Sequence, residues 1–136
     1  MNAMLPSKKL DEISALIHKF DPAALTQRVI AAGEDWADKN AAASSLEETR
    51  KSVLAKLAKE HARGAANLSD GKARPMSMVA AEQAALADPR YEAHIELMVS
   101  ARQQSDRARV RYDMGKMELE LMRSLQATVR QELRSA

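Results

Sequence analysis

Two stretches of this chain, 22–62 and 89–134, each open on a proline and contain no further proline and a single glycine, Gly33 in the first and Gly115 in the second. Alanine, leucine, methionine, glutamate, lysine and arginine fill most of both, and these residues lose little side-chain freedom in a helix. Each stretch begins with the same device. Asp21-Pro22 and Asp88-Pro89 place a carboxylate cap ahead of a proline at the first helical position. A lone glycine costs a helix about 1 kcal/mol and does not end it. The sequence therefore predicts two long helices, about 60 and 68 Å at 1.5 Å per residue. Joined by one loop, helices of matched length pack antiparallel.

The remaining segments are short. Within 1–21, Leu10, Ile13, Leu16, Ile17 and Phe20 recur at three- and four-residue steps and define one face of a first helix, with Ser7 ahead of it. The long helix over 22–62 carries a seam of Leu25, Val29, Ala32, Trp36, Ala43, Leu46, Val53 and Leu57, interrupted by Lys39 and Arg50. Ser44-Ser45-Leu46-Glu47 also reads as a fresh cap, so irregularity is expected there. Residues 63–77 are expected to form the loop, on Gly64, Asp70-Gly71 and Pro75. Ser77 can cap a short helix over 78–87, and 89–134 is the second long helix. The expected fold is all-α, a coiled-coil-like hairpin of two long antiparallel helices with one or two short ones, in a single domain that oligomerises.

Composition supports a thin bundle rather than a thick core. Hydrophobic residues make up 46 % of the 136, aromatics only 3 %. Charged residues are 29 % with a formal net charge of +2, a balance that does not by itself announce nucleic acid. There is no cysteine, which excludes disulfides and thiolate sites and agrees with a reducing compartment. The N-terminal MNAMLPSKKLDE lacks the apolar run of a signal peptide, and no stretch approaches the roughly 20 apolar residues of a membrane span. The expectation is a soluble, cytoplasmic protein with no membrane association.

The second long helix has two apolar sides. One seam runs Tyr91, His94, Met98, Ala101, Ser105, Ala108, Tyr112, Gly115, Leu119, Met122, Val129 and Leu133, with Gln126 as its polar member. Small residues in its middle permit close backbone approach, and Trp36 is the bulky side chain available to lie over them. A second stripe, Val110, Met114, Met117, Leu121 and Leu125, lies well over 100° away around the helix. A two-helix hairpin buries only one of these faces. Two arrangements cover the other: the N-terminal helix of the same chain, or a second chain. Continuous methionine and leucine on a surface mark an interaction site, and the expected assembly is a homo-oligomer, a dimer before a larger one.

Arg102, Arg109, Lys116, Arg123 and Arg130 repeat every seven residues beside the first seam, with Asp106, Asp113 and Glu120 in a parallel acidic line. Charges in these positions keep a coiled coil soluble and select its partner. The functional reading is an edge that contacts phosphates or an acidic partner. Sparse aromatics argue against base stacking and leave weak, salt-sensitive contact with duplex as the nucleic-acid option.

Catalytic and cofactor signatures are lacking. His18, His61 and His94 have no carboxylate three residues before them, so the Glu-x-x-His pair of di-iron bundles is missing. No HExxH, EF-hand or glycine-rich phosphate loop occurs. Glu34, Asp35 and Asp38 read as a solvated helix face. The expectation is a non-enzyme with no cofactor, no metal and no catalytic residue.

Two stretches, GEDWADKNAAA (Gly33 to Ala43) and DPRYEAHIELMVSARQQSDRARVRYDMGKMELELMRSLQATVRQELR (Asp88 to Arg134), carry a resemblance. The second resembles small helical proteins of tailed phages and prophages, encoded among early genes for DNA recombination and replication. The matching features are Trp36, Tyr91 with Ala101-Arg102, Arg109 to Tyr112, and Ser124 to Arg130. MELELM, Met117 to Met122, departs from the family, which has an aromatic there. The resemblance implies a phage accessory protein, a scaffold or adaptor binding a host or phage protein. An inhibitor of a host defence complex, CRISPR or a nuclease, and a duplex-DNA-binding architectural protein are the alternatives.

Overall fold

The computed structural model describes residues 6–19, 21–68 and 76–135, with the backbone alone for 16–19 and 66–68. They form four α-helices: α1 (Ser7–Lys19), α2 (Pro22–Leu68), α3 (Met78–Leu86) and α4 (Pro89–Ser135). No strand occurs among the described residues. The fold is the all-α hairpin that the breaker-free stretches predict.

Three of the expected caps are in place. Asp21 Oδ1 accepts the Ala23 N–H at 3.0 Å, Asp88 Oδ1 accepts the Arg90 N–H at 2.8 Å, and Ser77 Oγ accepts the Ala80 N–H at 3.2 Å. Each satisfies a backbone donor that a helix start leaves free. At Ser44–Glu47 there is no break. α2 passes through it as one helix, because Ala43 is fully buried and the Ser44 hydroxyl accepts from Arg102 instead of capping.

The expected end of this helix at Ala62 is corrected. α2 continues to Leu68 and carries Gly64 inside it. Ala62 packs against the cluster of Leu57, Ala58, Ala81 and Ala85, and His61 bonds to Asp88. These contacts hold the last turns against the modest cost of one glycine. The part of the expected loop at 69–75 lies outside the described residues.

The chain divides into two compact units, 1–36 with 107–136, and 37–106. In the first, α2 and α4 run antiparallel, since Val29 meets Gly115 while Gly33 meets Tyr112. Leu25, Val29, Ala108, Met122 and Val129 are its buried apolar residues. In the second, Leu57, Ala58, Ala81 and Ala85 form the core, with Val53, Leu54, Ala62, Met76 and Tyr91 packed on it. Small residues dominate here, which lets the nine-residue α3 lie close on α2.

The first seam of α4 is the buried one. Every member from Tyr91 to Val129 is buried or half-buried. Leu133 is 60 % exposed, because α2 begins at Pro22, which lines a small hollow with Gln126, and α2 has no residue to offer farther along. Among the small residues, Gly115 receives Val29 rather than Trp36. Val29 sits on Gly115, and Trp36 stacks on Tyr112 with ring centroids 5.8 Å apart.

Candidate binding surface

The second stripe lies entirely on the α4 segment of the first unit. Val110, Met114, Met117 and Leu121 are 56 %, 64 %, 68 % and 59 % exposed, whereas Leu125 is half-buried. Within one chain the stripe is therefore uncovered, and α1 does not close a three-helix bundle over it. Four large apolar side chains in one line at four-, three- and four-residue steps are more than the scattered exposed leucine that any surface carries.

Charged groups border the line. Lys116 Nζ lies 3.4 Å from Asp113 Oδ1 and Arg109 Nε 3.9 Å from Asp113 Oδ2. Arg111 lies 3.6 Å from Asp35 of α2. Toward the C-terminal end, Glu118 and Glu120 are exposed.

The basic line that repeats every seven residues is divided by its surroundings. Arg102 is a strut. Its Nε and Nη2 donate to the two carboxylate oxygens of Glu47 at 2.8 and 3.0 Å, and its Nη1 to Asn40 Oδ1 at 2.8 Å. Bidentate pairing of this kind fixes geometry as well as charge. The same bonds hold the Glu47 carboxyl below its ordinary range and raise Arg102. Arg109 lies over the Trp36 ring at 5.7 Å and Lys116 over Tyr112 at 4.5 Å, cation–π distances that tie both to the aromatic pair. Arg123 and Arg130 are exposed. The five cations thus have different roles, and only the last two present an unencumbered charge.

A polar cluster that sequence reasoning missed sits in the second unit. Asp88, 7 % exposed, caps α4, accepts from Arg90 Nη2 at 3.0 Å and bonds His61 Nε2 at 2.8 Å. Arg90 also reaches Glu60 at 2.6 Å. The Arg90 guanidinium, then its backbone N–H, then His61 hold the Asp88 carboxyl well below the usual carboxylate range, and Asp88 with Glu60 raises Arg90. Asp88-Pro89 signalled the cap; no spacing in the sequence brings His61 to it. Beside α3, Leu54, Ala58, Ala62 and Met78 line a shallow apolar groove. No group of three or more His, Asp or Glu among the described residues is placed to hold a metal ion, and no described helix is long and apolar enough to cross a membrane.

Compared with family models, curated proteins and solved structures, the chain matches none.

Proposed function

We propose that this chain is a non-enzymatic binding protein, a helical scaffold or adaptor whose working surface is the Val110–Met114–Met117–Leu121 stripe of α4. The observation that carries this reading is the exposure of those four side chains on a helix whose opposite face is packed against α2. Methionine suits such a surface, because its unbranched thioether chain adapts to a partner's shape. The resemblance read in the sequence from Asp88 to Arg134 is what suggests a place among phage recombination and replication functions, and we propose a protein rather than DNA as the primary contact. Inhibition of a host defence complex would use the same surface and differs only in the partner.

The test is capture from a phage-infected bacterial lysate with the wild-type chain and with Met117→Glu plus Leu121→Glu. Recombination or replication proteins retained by the first and lost by the second are expected. Defence proteins in that place would favour the inhibitor reading. Identical capture by both chains would remove the stripe as the working surface.

A further inference from the structure

We infer that the Val110–Leu121 stripe takes a second copy of this chain, antiparallel, about a two-fold axis that passes between Met114 and Met117. The inference rests on the reading of this stripe as the binding face and names its occupant and register. The spacing of the four residues, four then three then four, is the same from either end. In a two-fold antiparallel pair Met114 therefore meets the other copy's Met117, and Val110 meets its Leu121, giving four apolar layers with no mismatch. A two-fold interface requires this self-complementarity, and the alternating spacing is that of a coiled-coil seam.

Charge sets the direction. The stripe is bordered by Arg107 and Arg111 toward its N-terminal end and by Glu118 and Glu120 toward its C-terminal end. Antiparallel pairing brings the arginine end of one copy onto the glutamate end of the other, with Arg111 beside the second copy's Glu118. It also brings Glu120 of one copy toward Asp113 of the other, where Lys116 at 3.4 Å and Arg109 at 3.9 Å already offset the aspartate. Continuing the seam outward, Arg107 at one end meets Ser124 of the other copy. Parallel pairing would stack Arg107 on Arg107 in the seam itself, a like-charge contact, and would set Asp113 beside the other copy's Glu118.

The chain has no cysteine, so introduced thiols are unique. Met114→Cys and Met117→Cys chains are prepared separately and mildly oxidised, alone and mixed, and light scattering gives the mass of the wild type. Both positions are exposed, so neither substitution threatens the fold. The expected result is a wild-type dimer and a disulfide-linked pair that forms in the mixture and not from either chain alone. Glu118→Arg should weaken association about tenfold, the scale of two exposed ion pairs reversed, and adding Arg111→Glu should recover part of it, since that exchange also gives up the Arg111–Asp35 pair within each chain. Linking within each single-cysteine sample would overturn the antiparallel register. A wild type that stays monomeric would overturn the second copy as occupant, while the wider reading would stand if capture from lysate still depended on Met117 and Leu121.

Discussion

Tyr112 of α4 lies so close over Gly33 of α2 that a Cβ at residue 33 would sit 2.9 Å from its Cε2. The ring cannot simply retreat, because it stacks on Trp36 on one side and carries Lys116 at 4.5 Å. Gly33→Ala gains about 0.5–1 kcal/mol of helix propensity and meets an overpacking cost of about 1–3 kcal/mol. The net expectation is destabilisation by about 1 kcal/mol, with a shift in the fluorescence of the single tryptophan. Gly64→Ala is the control. Nothing lies within 4 Å of its Cβ, so the same exchange should stabilise α2 by about 0.5–1 kcal/mol. Thermal melts that move both variants the same way would remove the close approach as the reason for Gly33.

Asp88 gives a pH dependence with a definite sign. Its carboxyl is held below the usual range by Arg90 and His61 in the folded chain. Its contribution to stability is therefore complete above the unfolded value, about 3.9. It falls away as the pH drops below that value toward the folded one. Asp88→Asn should melt below the wild type at neutral pH, and the gap should narrow as the solution is acidified below pH ~4. Melts at a series of pH values check this; a gap that widens in acid contradicts it.

Arg102 and Arg123 are equivalent in the seven-residue repeat and not in the fold. Arg102→Ala removes the bidentate contact to Glu47 and the bond to Asn40, so it should lower the melting temperature. Arg123→Ala should leave it unchanged while reducing any affinity for an acidic partner. Equal melting temperatures for the two variants would show that the Glu47 pairing contributes nothing measurable.

This contrast marks how far the sequence could be read. The two long helices were legible because their apolar spacing and Asp-Pro starts are local properties of the chain. So was the position of the second stripe around α4, which follows from helical geometry alone; its exposure was not, because cover by the N-terminal helix of the same chain was equally open. The roles of the arginines were not, because they depend on which α2 residue faces each one, a register set by packing rather than by local spacing. The end of α2 was misplaced for a related reason: Gly64 is a breaker only where nothing else holds the helix, and the His61 contact to Asp88 spans 27 positions.

Ser105 is 1 % exposed and its hydroxyl has no hydrogen-bond partner among the described residues. Burying an unpaired hydroxyl costs about 1–3 kcal/mol, and alanine is the better helix former. Ser105→Ala should raise stability by about 1 kcal/mol in chemical denaturation, with no change in the slope. Destabilisation instead would mean that the hydroxyl is bonded in solution.

Leu121 and Met122 are neighbours in sequence and opposites in the fold, at 59 % and 9 % exposure. Glutamate at an exposed position usually changes stability by no more than about 0.5 kcal/mol. At protein concentrations too low for association, Met117→Glu with Leu121→Glu should therefore melt close to the wild type and keep full helicity by circular dichroism. Met122→Glu puts a carboxylate into the seam facing Leu25, where an uncompensated buried charge costs several kcal/mol. That chain should lose most of its cooperative transition. The pair of measurements separates the two faces of α4 without reference to any partner. If the stripe variant unfolded as readily as Met122→Glu, the four side chains would belong to the chain's own core, and neither the binding surface nor the two-fold pairing would survive.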